Sequence, residues 1–316
     1  MAPSEFKLPS PLQEVKYPPI TDCGAVLYIK RDDLIHPEVS GNKWRKLKYN
    51  FEKARLRGNR LIVTAGGAFS NHIAATAAAG QLFGFRTAGV IRGEDADLNN
   101  PTLRFAQDCG MEIVRISRAA YRTEGSHDFS DMVKTRFGAH YYIPSGGAND
   151  LGAAGCGELL GELDFRPDAV WTACGTGTTL CGLGTANAAR SEIFGVSVLK
   201  GGAFLRDTAD RHLARTFGDP ETEAYIREKI HILTDHHFGG YAKSTPELID
   251  FMREFYRTTG VKTDPIYTAK AAFGMARFAE RHPPKKGEKW VFIHTGGMQG
   301  LPPFEEKSGI SVFGNC

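Results

Sequence analysis

Short runs rich in β-branched and aromatic residues recur along the chain and alternate with stretches of helical periodicity. VLYIK (26–30), LIVTA (61–65), TAGVI (87–91), EIVRI (112–116), AVWTA (169–173), FGVSV (194–198) and WVFIH (290–294) read as strands. Trp44, Leu47, Phe51 and Ala54 fall on one helical face, as do Leu248, Met252, Phe255 and Tyr256. Ala74–Phe83 reads as a well-buried helix. Alternation of this kind builds βαβ units, so the predicted fold is α/β, with open, mostly parallel twisted sheets flanked by helices.

A chain of 316 residues exceeds what one hydrophobic core serves, which predicts two domains. Residues 46–155 carry their own strand–helix alternation, and the glycine-rich SGGANDLGAAGCG (145–157) reads as a connection back. The expectation is a small domain, 46–155, inserted in a large one made of 1–45 and 156–316. The opening MAPSEFKLPSPLQEVKYPP has no apolar run; it predicts an extended proline-rich lead-in and no signal peptide. No stretch approaches the roughly 20 apolar residues of a membrane span. No internal repeat or low-complexity segment is visible.

Three predicted strands run directly into glycine-rich turns followed by helix-like sequence: LIVTA-GGAFSN, VWTA-CGTGTTLCG and WVFIH-TGGMQG. In open α/β sheets, ligands bind beyond the carboxyl ends of strands. Glycines there let backbone N–H groups approach a ligand, and the next helix N-terminus favours an anion. Cys174-Gly175-Thr176-Gly177-Thr178-Thr179 is the best phosphate cradle, with two glycines and three hydroxyls. It is not a dinucleotide fingerprint, because the third glycine, Gly182, comes two positions late. No Walker Gly-Lys-Ser/Thr string exists. By itself such a turn serves equally well as a βα connection without a ligand.

Composition narrows the classes further. Hydrophobic content of 41% and charged content of 24% are ordinary for a globular protein. Thirty-nine basic against 36 acidic residues leave +3, too weak a field to argue for a nucleic acid or membrane partner. The cysteines, at 23, 109, 156, 174, 181 and 316, are scattered with no Cys-x-x-Cys pair; reduced thiols and a cytoplasmic setting are expected. His231, His236 and His237 lie close together, but their spacing matches no zinc signature, and no metal is expected.

The densest basic stretch is Lys43, Arg45, Lys46 and Lys48, in SGNKWRKLKYN (40–50). Ser40, Gly41 and Asn42 are turn and cap residues, placing Lys43 at a helix start. Neighbouring cations and partial burial favour the neutral amine that imine chemistry needs, and the same cations would help hold a phosphate. A solvated basic turn is the plain alternative for such a lysine in isolation.

Taken together and in order, IKRDDL (29–34), GNKWRKL (41–47), GGAFSNH (66–72), PSGGA (144–148), CGTGTT (174–179), DPIYTAK (264–270) and HTGG (294–297) are specific. The chain resembles the fold type II pyridoxal-phosphate enzymes, the tryptophan synthase β-like group, and within them the D-cysteine desulfhydrase and 1-aminocyclopropane-1-carboxylate deaminase family. The resemblance implies pyridoxal 5'-phosphate as cofactor, a small amino acid as substrate and a homodimer. It makes Lys43 the Schiff-base lysine, with Lys46 beside the cofactor. Ser70 would act near the substrate carboxylate and Cα, and Asn71 would bond the cofactor's phenolic oxygen. Gly175, Thr176, Gly177, Thr178 and Thr179 would hold the phosphate. Tyr267 would stack on the pyridine ring, and Tyr241, in HHFGGYAKS, matches a second active-site tyrosine although its surroundings differ. His72 and Gly147 would face the substrate. Ala148 stands where relatives often have serine.

Thr268 and Thr295 also help to choose a reaction. The deaminases typically carry Glu after the stacking tyrosine and Leu before the last glycine pair. A carboxylate there keeps the pyridine protonated and makes it a strong electron sink, whereas a threonine hydroxyl suits a weaker one. The resemblance therefore implies a lyase acting by β-elimination, as in D-cysteine desulfhydrase, giving pyruvate, ammonia and sulfide. Alternatives are a 1-aminocyclopropane-1-carboxylate deaminase, a lyase on another β-substituted amino acid such as cysteate, or a non-catalytic cofactor carrier or regulator.

Overall fold

The structure, a computed structural model, describes residues 5–187 and 191–314. The chain divides into two compact units, Met1–Asn42 with Cys156–Cys316, and Lys43–Gly155. Residues 1–4 of the predicted lead-in and Cys316 lie outside the described residues.

Ten strands run in chain order: β1 (Leu12–Val15), β2 (Val26–Lys30), β3 (Leu61–Gly66), β4 (Arg86–Arg92), β5 (Met111–Ile116), β6 (Tyr141–Ile143), β7 (Ala169–Cys174), β8 (Glu192–Ser197), β9 (Ile230–Leu233) and β10 (Lys289–Ile293). The larger unit holds a sheet of order β1-β2-β10-β7-β8-β9, and the smaller one a sheet of order β5-β4-β3-β6. Every described pairing is parallel except β1 with β2. The lead-in is therefore not simply extended: Leu12–Val15 closes the edge of the larger sheet in antiparallel register, Leu12 opposite Lys30.

The central strands read as continuous apolar runs because both faces are covered. All six residues of β3 and all six of β7 are buried. In the smaller unit the helix Asn71–Phe83 lies on this sheet; its N-cap is Ser70, whose side chain accepts from the Ile73 N–H, and its C-cap is left-handed Gly84. Six of its thirteen residues are alanine or glycine, which lets the backbone pack close. In the larger unit the core centres on Trp171, fully buried and stacked on Phe194 at 4.0 Å and 7°. Phe278 meets the same indole edge-on at 5.2 Å.

This sheet geometry sends the ends of β3, β7 and β10 into the glycine loops. It also predicts where stability resides. Trp171→Ala should cost about 3–5 kcal/mol, the range for deleting a large buried aromatic. Trp171→Phe should cost less than half as much, because the indole N–H it removes has no partner among the described residues. Urea midpoints of the two variants check this; equal losses would contradict it.

Candidate active site

The larger unit contributes a cradle. β7 ends at Cys174, and the chain turns through Gly175, Thr176 and Gly177 into the helix Thr178–Thr185. Gly177 is the N-cap, left-handed at φ 83°, and contributes no side-chain cap. The first N–H groups of that helix therefore lack intrahelical acceptors and carry the positive end of its dipole. Thr176 and Thr178 share a hydrogen bond of 2.8 Å between their hydroxyls, and Thr178 and Thr179 are buried. An uncapped helix start ringed by hydroxyls fits a phosphate group.

Two further segments of this unit close on the cradle. Asn42 donates from Nδ2 to Thr179 Oγ1 at 3.1 Å, and its backbone N–H donates to the Thr295 carbonyl at 3.2 Å. Gly41, at φ 65°, lies so close that a Cβ would come within 2.1 Å of that same carbonyl oxygen. Lys43 follows Asn42 by one peptide bond. The Tyr267 ring passes beside Gly175, where an added Cβ would meet it at 3.4 Å. Tyr241 packs edge-on against Tyr267, with centroids 6.1 Å apart. Burial first, and then the Tyr241 phenol, push the Tyr267 hydroxyl well above the ordinary phenol range, so it stays protonated.

Thr268 is hydrogen-bonded within its own turn. Its Oγ1 donates to Asp264 Oδ1 at 2.7 Å and accepts from the Asp264 N–H at 2.8 Å. The hydroxyl is thus committed to the protein. Asp264, fully buried, also accepts from the N–H groups of Ile266, Tyr267 and Thr268, each at 2.9 Å. Sequence reasoning quoted Asp264 within DPIYTAK but gave it no part; an Asp before Pro is a turn signal that could have found it. Thr295 is also buried, and its hydroxyl makes no hydrogen bond among the described residues.

The smaller unit brings Lys43, Lys46, His72 and Gly147 together. Lys46 and Arg45 are buried, at 5% and 1% exposure, which rules out a solvated basic face. A Cβ on Gly147 would meet Lys46 Cβ at 2.9 Å and His72 Cε1 at 3.4 Å. His72 has a definite tautomer. Thr64 spends its only hydroxyl proton on the Ile143 carbonyl at 2.7 Å, so the 3.0 Å contact must be donation from His72 Nε2 to Thr64 Oγ1. Nδ1 is then a bare acceptor, buried and without a partner among the described residues. Burial, with the positive charges of Lys43 and Lys46, holds the imidazole well below its usual pKa and keeps it neutral.

Ser70 and Asn71 begin the helix that carries His72. Thr64–Gly66 belong to β3, which leaves Gly67–Ser70 as the loop open to a ligand. A cavity of about 720 Å³ opens there, lined by Gly67, Ala68, Phe69, Arg92, Arg118 and Tyr121 among others. Of the clustered histidines, His231 Nε2 lies 2.6 Å from Glu192 Oε2, and His237 Nδ1 accepts from the Gly239 N–H.

Mostly parallel sheets, with β7 running into an uncapped helix start ringed by hydroxyls, make this an α/β protein of the class that binds anionic ligands at strand ends. The chain belongs to the family of pyridoxal-phosphate dependent enzymes, whose model matches residues 4–296. It is 31% identical over 317 residues to the mitochondrial bifunctional D-cysteine desulfhydrase/1-aminocyclopropane-1-carboxylate deaminase of Arabidopsis thaliana, covering 93% of this chain and 77% of that protein. The solved structure of an ACC deaminase homologue superposes with a TM-score of 0.77 at 27% identity, over 96% of this chain and 94% of the other. A hydrogen sulfide-producing enzyme from Fusobacterium nucleatum shares the fold at 15% identity, with a TM-score of 0.65 over 94% and 98% of the two chains. No helix among the described residues is long and apolar enough to cross a membrane.

The buried imidazole sets a pH dependence. Unfolded, it binds a proton near pH 6.5; folded, only well below that. Its contribution to stability is complete above pH 6.5 and declines as the pH falls. His72→Gln should remove this decline, so that its urea midpoint falls less than the parent's between about pH 7.5 and about pH 5. Parallel pH profiles for the two proteins would count against the assignment.

Proposed function

We propose that the protein is a lyase that eliminates a β-substituent from a small amino acid, with cysteine as the substrate class, giving pyruvate, ammonia and sulfide with one water consumed. The observation that carries this reading is that, among the described residues, the carboxylate next to Tyr267 is already hydrogen-bonded within the protein. Thr268 stands after it, and the neighbouring Asp264 has both oxygens occupied by backbone and threonine donors. Thr295, with an uncommitted hydroxyl, is the group offered to the ring nitrogen in this reading. A hydroxyl there suits the weaker electron sink that suffices when a good leaving group departs from Cβ.

When bound, the cofactor supplies an electron sink for the charge left at Cα. Lys43 Nζ is the amine that holds it, and the same Nζ then holds the proton taken from Cα. Gly175–Thr179 bind the phosphate through the helix N–H groups and hydroxyls, with Lys46 adding positive charge. Tyr267 orients the ring by stacking, with Tyr241 packed on its edge. Asn71 donates to the phenolic oxygen, and Ser70 with the Gly67–Ser70 loop receives the substrate carboxylate. His72, fixed as an acceptor at Nδ1, takes a hydrogen bond from the bound amino acid or the lysine amine, beside Gly147.

A substrate panel tests this. Cofactor-loaded protein is given D- and L-cysteine, 1-aminocyclopropane-1-carboxylate and cysteate, and pyruvate, 2-oxobutyrate, sulfide and sulfite are measured. Pyruvate with equimolar sulfide from one cysteine enantiomer is expected, and Lys43→Ala should lower that rate by about 10²–10⁴-fold or more. Release of 2-oxobutyrate from the cyclopropane substrate, with no pyruvate from either cysteine, would replace this reading with the deaminase. Turnover of none, with cofactor bound, would favour a carrier.

A further inference from the structure

Lys270 lies in the helix Thr268–Arg281 and is completely buried. A lysine ammonium is costly to bury unless its donors are used. Here Nζ donates to the His237 carbonyl at 2.9 Å and to the Gly240 carbonyl at 2.7 Å. These two oxygens are not arbitrary. The His237 carbonyl also accepts from the Gly240 N–H, and the Gly240 carbonyl from the Lys243 N–H. Each is the acceptor of one of two successive turns, and Tyr241 sits in the second of them.

The segment needs such a clamp. Phe238 and Ala242 hold φ of 51° and 53°, a left-handed conformation that residues with a side chain adopt only when their surroundings enforce it. Gly239 and Gly240, between them, are left-handed too. Tyr241 is 41% exposed, so its own burial does little to fix it. The same helix meets the segment at two more places. Tyr267, at the helix N-cap, faces the Tyr241 ring, and Phe273 meets Phe238 edge-on at 4.9 Å.

We propose that Lys270 is a positioning residue: by binding the acceptors of both turns it holds Tyr241 against Tyr267 in the arrangement the reaction uses. This rests on the proposed role for the tyrosine pair. Burial lowers the Lys270 pKa to about 8, with Asp264 opposing the shift. The amine keeps at least two N–H groups in either protonation state, enough for both carbonyls.

The test is amide hydrogen exchange on cofactor-loaded Lys270→Met, a volume-conserving change, combined with a kinetic cycle against Tyr241→Phe. Exchange over residues 237–243 should rise by about tenfold or more, with β7 and β10 unchanged. With the substrate the panel identifies, kcat should fall more than KM rises, and the double variant should be little slower than Tyr241→Phe alone. Should the methionine variant not fold, Lys270→Gln, which keeps a donor, should give an intermediate rise over the same residues. Unchanged exchange over 237–243, or kinetic losses that multiply in full, would overturn the proposal. The exchange measurement needs no turnover, so a wrong substrate class leaves it standing.

Discussion

The structure turns on a close crossing of main chain in the larger unit. Gly41 lies against the Thr295 carbonyl with no room for a side chain, and Asn42 bonds both that carbonyl and the Thr179 hydroxyl. One dipeptide thereby ties the loop after β10 to the cradle after β7. Asn42 is also the last residue of the larger unit and Lys43 the first of the smaller one. Lys43, the amine proposed to hold the cofactor, thus follows by one covalent step from the two residues that bond the loops after β7 and β10. A side chain at position 41 would have to displace backbone, which no rotamer change can relieve.

Polar groups buried around the tyrosines extend the same logic. Asp264 gathers three backbone N–H groups and the Thr268 hydroxyl, and so shapes the turn that presents Tyr267. Lys270, three residues after Tyr267, gathers two carbonyls of the Tyr241 segment. Each buried charge is offset by several hydrogen bonds rather than by one salt bridge, and such fully satisfied groups specify a geometry. In the smaller unit, the chain from Ile143 through Thr64 to His72 does comparable work by settling which imidazole nitrogen carries the proton.

Much of the fold was legible in local pattern. Strands such as Leu61–Gly66 and Ala169–Cys174 are buried on both faces and announce themselves as unbroken apolar runs. Leu12–Val15 was missed because prolines flank it and its antiparallel partner makes it a strand. Tyr141–Ile143 and Ile230–Leu233, of three and four residues, are too short to show a period. The motifs singled out the 174–179 turn, Lys43 and the tyrosines, of which Tyr267 lies beside Gly175 and against Tyr241. They could not show that Lys270 reaches the 237–240 turn, because contacts across some thirty residues leave no trace in spacing, nor that the Thr268 hydroxyl bonds Asp264, because a four-residue spacing does not fix which way a hydroxyl turns.

Attachment of the cofactor at Lys43 is the claim on which the chemical account stands. Its most direct measurement is borohydride reduction of the loaded protein, followed by proteolysis and mass spectrometry of the lysine-containing peptides. The account predicts a pyridoxyl-phosphate adduct on Lys43 alone, with loss of the visible absorbance. An unmodified Lys43, with the adduct on Lys46 or another lysine, would contradict it.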